Sequence, residues 1–481
     1  MSVSVLNPQT METPAHWSEL RPWHTNLALG LIGFAMICFT RQMISEHDHF
    51  TIGYSGASSS HLVLYFAAVL VFLIKPSNVD RFTFPIILGF AIAARLAALF
   101  APPFLSSDVY RYAWDGVVQH AHINPYRYVP GDAALSFLRA PHSDLYEHMN
   151  RRDYAHTIYP PVAQLFFYVI TFLSPSVTFM KMAMVLFEGL TMYGLILLLR
   201  EFGIRREWTI VYAWSPLLIW EIGGSGHVDS MIMAFLTFAI LFRYRRKPVL
   251  TGAFLCLAVL TKFYPLVLFP AFYQRGDWKM PTTFACLAAL FYLPYLSAGK
   301  LVLGFLGGYV QEEGISSGQR YFLLDWTQHV PGFAKLPSAA FLIFAVAVFV
   351  SLGVWAWRTS CRMDSSRASF IPPANGFAIA LMLLFSPHYP WYLAWLIPFV
   401  VLAPSLTAVT YISALFYLCT TALAVGYGPK QYHLNILLYS AVAVAFVVEL
   451  TLRRLPQSRS WFRRLHIEVP PTRPVHPLRI L

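Results

Sequence analysis

The segment 106–126, SSDVYRYAWDGVVQHAHINPY, lies between two long apolar stretches and carries the densest polar chemistry in the chain. Its Asp108 and Asp115 stand seven residues apart. If 105–120 is helical, that spacing sets the two carboxylates about 20° from each other around the axis. Tyr112, four residues after Asp108, and Gln119, four after Asp115, share that face, and Arg111 lies beside it at the i+3 position. A carboxylate held near a membrane surface can accept the proton of an attacking hydroxyl, so this segment is expected to be a catalytic loop. The helix is expected to stop near His122-Ile123-Asn124-Pro125, because Pro125 pushes Asn124 out of the helical region. The plainer reading is an amphipathic helix lying at a membrane surface, with Tyr110, Tyr112 and Trp114 as interfacial anchors.

The elements that must hold this loop are membrane helices. With 57% hydrophobic residues, 12% charged residues and a mean hydropathy of +0.54 over 481 residues, the chain is not a soluble globular protein, for which about 25% charged residues is typical. The expected fold is all-α, a polytopic transmembrane helical bundle of about twelve to fourteen membrane segments with an external catalytic loop helix. The expected layout is a cytoplasmic N-terminus over 1–24, a transmembrane domain over 25–452 with external loops at 105–158 and 298–338, and a basic, proline-rich cytoplasmic tail over 453–481. No cleaved signal peptide is expected in 1–24, so the first apolar run should remain as a membrane helix. The net charge of +12 gathers in Lys and Arg clusters beside apolar runs. That pattern marks cytoplasmic anchors facing anionic lipid rather than a nucleic-acid surface. Five cysteines, Cys38, Cys256, Cys286, Cys361 and Cys419, form no metal-type pair and imply no disulfide framework.

Taken in order, an apolar run over about 25–40 precedes a polar segment, 41–60, whose His47-Asp48-His49 reads either as part of a metal site lacking a visible third ligand or as a plain loop. Runs over about 61–74 and 82–104 flank a turn marked cytoplasmic by Lys75 and Arg81, and deliver Asp108 just outside the membrane. Arg95, inside the second of these, needs a partner or a polar cavity, with Glu188 and Glu221 as candidates. Simple alternation after Tyr159-Pro160-Pro161 places Arg200, Arg205 and Arg206 outside, against the positive-inside tendency. Either one segment between 159 and 199 is re-entrant or the charge rule is broken locally. The break Gly223-Gly224-Ser225-Gly226-His227-Val228-Asp229 is expected to line a cavity or be buried in protein, the alternative being a plain glycine turn.

Arg243-Tyr244-Arg245-Arg246-Lys247 marks a cytoplasmic loop. The run over 249–273 contains Lys262-Phe263-Tyr264-Pro265 and reads as two half-helices, with Lys262 either near a cavity where it can neutralise a phosphate or snorkelling to an interface. A long loop is expected over 298–338, and Arg358, Arg362 and Arg367 mark another cytoplasmic turn. Ser386-Pro387-His388-Tyr389-Pro390-Trp391-Tyr392 has no Lys or Arg nearby and is external by charge. His388 there can hydrogen-bond a phosphate or sugar, or serve an aromatic belt. Walker, GxGxxG and complete zinc-ligand patterns are absent from the sequence.

Asp108-Val109-Tyr110-Arg111-Tyr112-Ala113-Trp114-Asp115-Gly116, Asn124-Pro125-Tyr126, Tyr159-Pro160-Pro161, Gly226-His227-Val228-Asp229, Lys262-Phe263-Tyr264-Pro265 and Pro390-Trp391-Tyr392 occur in an order that resembles the GT-C superfamily of polyprenyl-phosphate-sugar-dependent glycosyltransferases. The likeness is strongest to bacterial alpha-mannosyltransferases. One departure is the pair of apolar runs before the Asp loop, where many relatives have one. The resemblance implies an integral membrane enzyme of the bacterial plasma membrane, active on its extracytoplasmic side. It would move a hexose, expected to be mannose, from a polyprenyl-phosphate donor to a glycan or glycolipid acceptor with inversion. Asp108 is then the expected base, with Asp115 positioning the acceptor or a divalent cation, the one cofactor under consideration. Arg111, Lys262 and His388 are candidates to stabilise the leaving phosphate. Tyr112, Asn124, Tyr126, His227, Asp229, Tyr389 and Trp391 complete the expected substrate-binding set. The alternative is a secondary transporter or flippase for a lipid-linked sugar, which would place its key charges near the membrane midplane.

Overall fold

The computed structural model describes residues 21–46, 51–74, 78–312, 321–361, 367–421 and 430–454; His47-Asp48-His49 and the basic tail beyond 454 lie outside them. The principal helices are α1 (Pro22–Ser45), α2 (Ile52–Ile74), α3 (Thr83–Leu99), α4 (Asp108–His120), α5 (Pro161–Leu173), α6 (Val177–Glu201), α7 (Asp229–Tyr244), α8 (Pro248–Val259), α9 (Lys279–Tyr292), α10 (Leu306–Glu312), α11 (Ser338–Cys361), α12 (Ile371–Phe385), α13 (Leu406–Cys419) and α14 (Lys430–Arg454). No strand occurs among the described residues. Proline opens α1, α5 and α8 within the first turn, where its missing N–H costs nothing. The side chains of Ser176 and Ser405 accept from Phe179 and Ala408 backbone N–H groups and cap α6 and α13.

Six helices are long and apolar enough to cross a membrane: Pro22–Ser45, Ile52–Leu73, Val177–Glu201, Lys279–Glu312, Ser338–Cys361 and Leu434–Leu452. Six shorter apolar helices, among them α3, α5, α8 and α12, fill the space between. The bundle is therefore polytopic and all-helical. At its centre α7 packs between α6 and α8, and nearly every residue from Asp229 to Leu241 is buried. On the periphery the pattern inverts: Leu31 is 63% exposed, Phe34 64% and Ile343 71%. Large apolar side chains facing outward are what a lipid solvent selects.

Several boundaries differ from the sequence expectation. Within 41–60, α1 runs on to Ser45 and α2 begins at Ile52, so most of the described part is helical. The catalytic-loop helix starts at Asp108 rather than at 105, and the Ser106 hydroxyl accepts from the Asp108 N–H at 3.3 Å. The loop expected over 298–338 contains α10 and a second short helix, Phe322–Gln328.

Arg95, Glu188 and Lys181 are buried and matched. Arg95 chooses Glu188 over Glu221, with Nε to Oε2 at 3.0 Å and Nη2 to Oε1 at 2.8 Å, and it also donates to the Ala213 carbonyl at 2.6 Å. Lys181 on α6 donates to the carbonyls of Ala98 and Ala101 at 3.2 and 2.6 Å, satisfying the end of α3. Further contacts show which end of the bundle holds the arginines after α6. Arg206 sits over the Phe84 ring at the start of α3, Glu201 at the end of α6 pairs with Arg245 at 2.7 Å, and Arg243 lies over Phe370 just before α12. Arg200 and Arg206 thus share one end of the bundle with Arg243 and Arg245.

Of the two helices between 159 and 201, α5 is the shorter. At 13 residues it spans about 20 Å, less than the ~30 Å hydrocarbon core. Its start bonds to Leu260 at the break after α8, and the Lys181 contact returns the chain to the same level at the start of α6. Glu188→Ala should strand the Arg95 guanidinium inside the bundle. Breaking such a pair destabilises by about 3–5 kcal/mol, so the thermal midpoint in detergent is expected to fall sharply, whereas a Glu201→Ala change at the half-exposed Arg245 pair should shift it little.

Candidate functional site

Two interrupted helices meet beneath the start of α4. Before α7, a π-helical turn, Ile219–Gly224, gives way to Gly226 at φ +74, and α7 begins at Asp229. A side chain at Gly226 would approach Lys181 Cγ to 2.8 Å, so both the backbone angle and the space call for glycine. After α8, the chain breaks at 260–263 before the short 3-10 helix Tyr264–Leu268. The two breaks are joined: Lys262 Nζ lies 2.6 Å from Asp229 Oδ2, and the Tyr264 hydroxyl donates to Asp229 Oδ1 at 2.6 Å. Asp229 is fully buried and is engaged by Lys262 and Tyr264.

Above this floor opens a cleft of about 240 Å³. Asp108 reaches it from the first turn of α4, Arg111 from the next turn, and Lys262 from below. Tyr389, Trp391 and Tyr392 form an aromatic wall, with Tyr389 stacked on Trp391 at 4.4 Å between centroids. Tyr309 on α10 faces them, and its hydroxyl bonds that of Tyr392. Asn150, Arg151, His156 and Thr157 complete the rim from the loop between α4 and α5. Arg151 pairs with Glu312 at 2.9 Å, and Tyr154 donates to the same carboxylate at 2.8 Å. Gly304, at φ +57, lets this segment lie against Thr157, where any side chain would collide with the Thr157 carbonyl.

Asp108 accepts from the Tyr159 hydroxyl at 3.3 Å and from the Asn150 amide at 3.5 Å. About a fifth of its side chain is accessible, 21%. Burial nonetheless holds its carboxyl above the ordinary carboxylate range, outweighing the lowering pull of Lys262, Asn150, Arg151 and Tyr159. A carboxylate so placed is a stronger base than one in water.

Asp115 shares the helix but not the cleft. Its Oδ1 takes the Arg111 Nε at 2.8 Å and its Oδ2 the Gln164 amide at 2.9 Å, and only 2% of its side chain is exposed. The α4 and α5 helices press together at Gly116, where a side chain would strike the Phe167 carbonyl and Thr171. Tyr112 is fully buried and stacks on Phe167 at 4.8 Å. Asn124 donates to the Tyr295 carbonyl at 3.0 Å and to Ser297, while Tyr126 donates to the Tyr159 carbonyl at 2.6 Å. Both fasten the segment after α4 to its neighbours. His227 lies behind the aromatic wall with its ring stacked on Trp391 at 4.2 Å. The His388 carbonyl accepts from Cys419, and His388 is not among the cleft-lining residues.

The structure thus brings Asp108, Arg111, Lys262, Tyr389 and Trp391 to one cleft, and places Asp115, Tyr112, Asn124, Tyr126, His227, Asp229 and His388 behind or beside it. Sequence reasoning missed Asn150, Arg151, His156 and Tyr309. The cluster Asn150-Arg151-Arg152-Asp153 was a signal, but nothing in its spacing ties it to Asp108, 42 residues earlier. The two carboxylates of α4 should separate on mutation. Asp115→Ala leaves the Arg111 charge unmatched and should lower stability by about 3 kcal/mol, while Asp108→Asn should leave the stability measured by thermal unfolding in detergent within about 0.5 kcal/mol of wild type.

A family model described as the alpha-(1->6)-mannopyranosyltransferase N-terminal domain, the MptA_B family, matches residues 28–274. No curated protein matches the chain. The matched stretch contains α4, both helix breaks and Lys262. Since the match takes in more than half of an apolar, all-helical bundle, the transporter reading falls away: the chain belongs to the MptA_B family of alpha-mannosyltransferases and is a membrane glycosyltransferase.

Proposed function

We propose that the protein transfers a mannosyl unit from a polyprenyl-phosphate donor to a hydroxyl of an extracytoplasmic glycan or glycolipid, with inversion at the anomeric carbon. The observation that carries this reading is the cleft itself, in which one basic carboxylate, Asp108, faces Arg111, Arg151 and Lys262 across a space walled by Tyr389, Trp391 and Tyr392. The acceptor oxygen attacks the anomeric carbon while its proton passes to Asp108. The bond from that carbon to the phosphate oxygen breaks, and its electron pair leaves with the polyprenyl phosphate. Arginine and lysine at the cleft stabilise that developing charge. The aromatic wall offers flat faces against which a sugar ring packs.

Among the described cleft-lining residues Asp108 is the one carboxylate. A double displacement would need a second one as nucleophile, as in retaining glycosidases, so a single displacement is favoured. An alpha product then requires a donor of beta configuration. Asp115, expected as partner to a divalent cation, is turned away and engaged by Arg111 and Gln164. Among the described residues no three His, Cys, Asp or Glu side chains gather as ligands. Asp115 is therefore not placed to hold a cation in the cleft. The extracytoplasmic assignment is supported by Arg206, Arg243 and Arg245 at the end of the bundle away from the cleft, as the positive-inside rule asks of a cytoplasmic face.

The test is transfer from synthetic beta-polyprenyl-phosphate mannose to a panel of mannosides by the purified full chain. Asp108→Asn keeps the size and removes the base, and turnover should fall by about 10²- to 10⁴-fold; wild-type turnover in that variant would overturn the assignment. The pH profile gives a second check. Asp108 works as the carboxylate, and its proton affinity is raised, so activity should be lost on acidification at a pH clearly above the ordinary carboxylate value of 3.8.

A further inference from the structure

Glu221 and His227 stand behind the cleft wall, and the transfer chemistry leaves both without a task. Their side chains are buried, His227 at 0% exposure and Glu221 at 1%. Trp391 covers the His227 ring, so the imidazole does not face the cleft. Its Nδ1 lies 3.9 Å from Asp108 Oδ2, and its Nε2 lies 3.3 Å from Glu221 Oε2. Neither nitrogen, nor Glu221 Oε2, completes a hydrogen bond. Three buried polar atoms left this way are uncommon and costly, and here they form a line that ends on the base. The backbone sets the line: the π-helical turn carries Glu221, the His227 N–H bonds the Glu221 carbonyl at 3.1 Å, and Gly226 turns the chain between them.

We propose that Glu221 and His227 form a buried hydrogen-bonded chain that orients Asp108, with His227 acting as a positioning residue rather than as the substrate contact its motif suggests. The inference rests on Asp108 being the base. During turnover the His227 Nδ1–H donates to Asp108 Oδ2, a gap that a small rotation of the carboxylate closes, as catalytic hydrogen bonds often tighten only with substrate bound. His227 Nε2 is then an acceptor, and its donor is the carboxyl O–H of Glu221. This assignment leaves one negative charge in the line instead of two, which suits its depth. The carboxylate of Asp229 lies nearby but is matched by Lys262. Held in this way, the remaining oxygen of Asp108 stays aimed at the acceptor hydroxyl.

Amide substitutions test the chain atom by atom, since the Asn amide nitrogen takes the place of Nδ1 and the Gln amide nitrogen that of Nε2. With synthetic polyprenyl-phosphate mannose and the full chain, His227→Gln should lower kcat by up to about 10²-fold with donor KM little changed, the loss expected of a misplaced catalytic group. Its acidic limb should also move to higher pH, because Asp108 loses a donor while Lys262, Arg151, Asn150 and Tyr159 still face it. His227→Asn should recover much of the rate and restore the limb. Glu221→Gln, which can still donate, should recover activity relative to Glu221→Leu.

The inference is overturned if His227→Gln raises donor KM with kcat and the acidic limb unchanged, or if folded His227→Asn loses both rate and limb. It also fails if Glu221→Gln is as impaired as Glu221→Leu. Should His227→Gln fail to fold, the His227→Asn and Glu221→Gln arms decide. Asp108→Asn is measured alongside: wild-type turnover there removes the base and this chain together, whereas an inactive Asp108→Asn beside a wild-type His227→Gln removes the chain alone.

Discussion

The ion pair between Lys262 and Asp229, 2.6 Å long, ties one interrupted helix to another, and the cleft is built on that tie. A charge inside an apolar bundle persists only if another group neutralises or solvates it. Several charged side chains placed in this interior specify such a neighbour. Arg95 recruits Glu188 from α6, Lys181 takes the carbonyls at the end of α3, and Arg111 takes Asp115 from its own helix. These contacts join α3, α6 and the segment before α7 into one unit beneath the catalytic helix.

Interrupted helices explain how polar chemistry reaches this depth. Non-helical backbone is tolerated within a membrane protein where it is buried or lines a cavity, and both breaks here do so. The short α5 has a related role. With 13 residues, it packs along α4 through Gly116 and presents Gln164 to Asp115. The arginines after α6 lie at the same end as those after α7.

Two carboxylates on one helix have divided their work through their surroundings. Asp108, at the helix start, has the cleft in front of it and burial around it, and its proton affinity rises. Asp115, two turns later, meets an arginine and an amide and becomes a fastening for the loop. Their shared face, which the seven-residue spacing correctly indicates, does not give them a shared role. The aromatic wall is divided likewise: Trp391 presents one face toward the cleft and Tyr389, and rests against His227 behind.

From the sequence alone, composition decided the class, because a chain with 12% charged residues has too little polar surface to face water on all sides. The motif around Asp108, the glycine-rich break before Asp229 and the half-helices around Lys262 were legible for a similar reason: polar, glycine and proline residues are expensive in apolar runs, so each one announces a constraint. The rest waited for the tertiary structure. Arg95 had two acidic candidates that only packing could choose between, and Arg151 joined the cleft through a loop whose path no periodicity describes. The withdrawal of Asp115, Asn124 and Tyr126 into structural hydrogen bonds depended on α5 and on the segment near Tyr295, remote in sequence. Spacing along one helix reports which residues share a face, but only the neighbouring elements determine whether that face meets a cleft, a partner or the core.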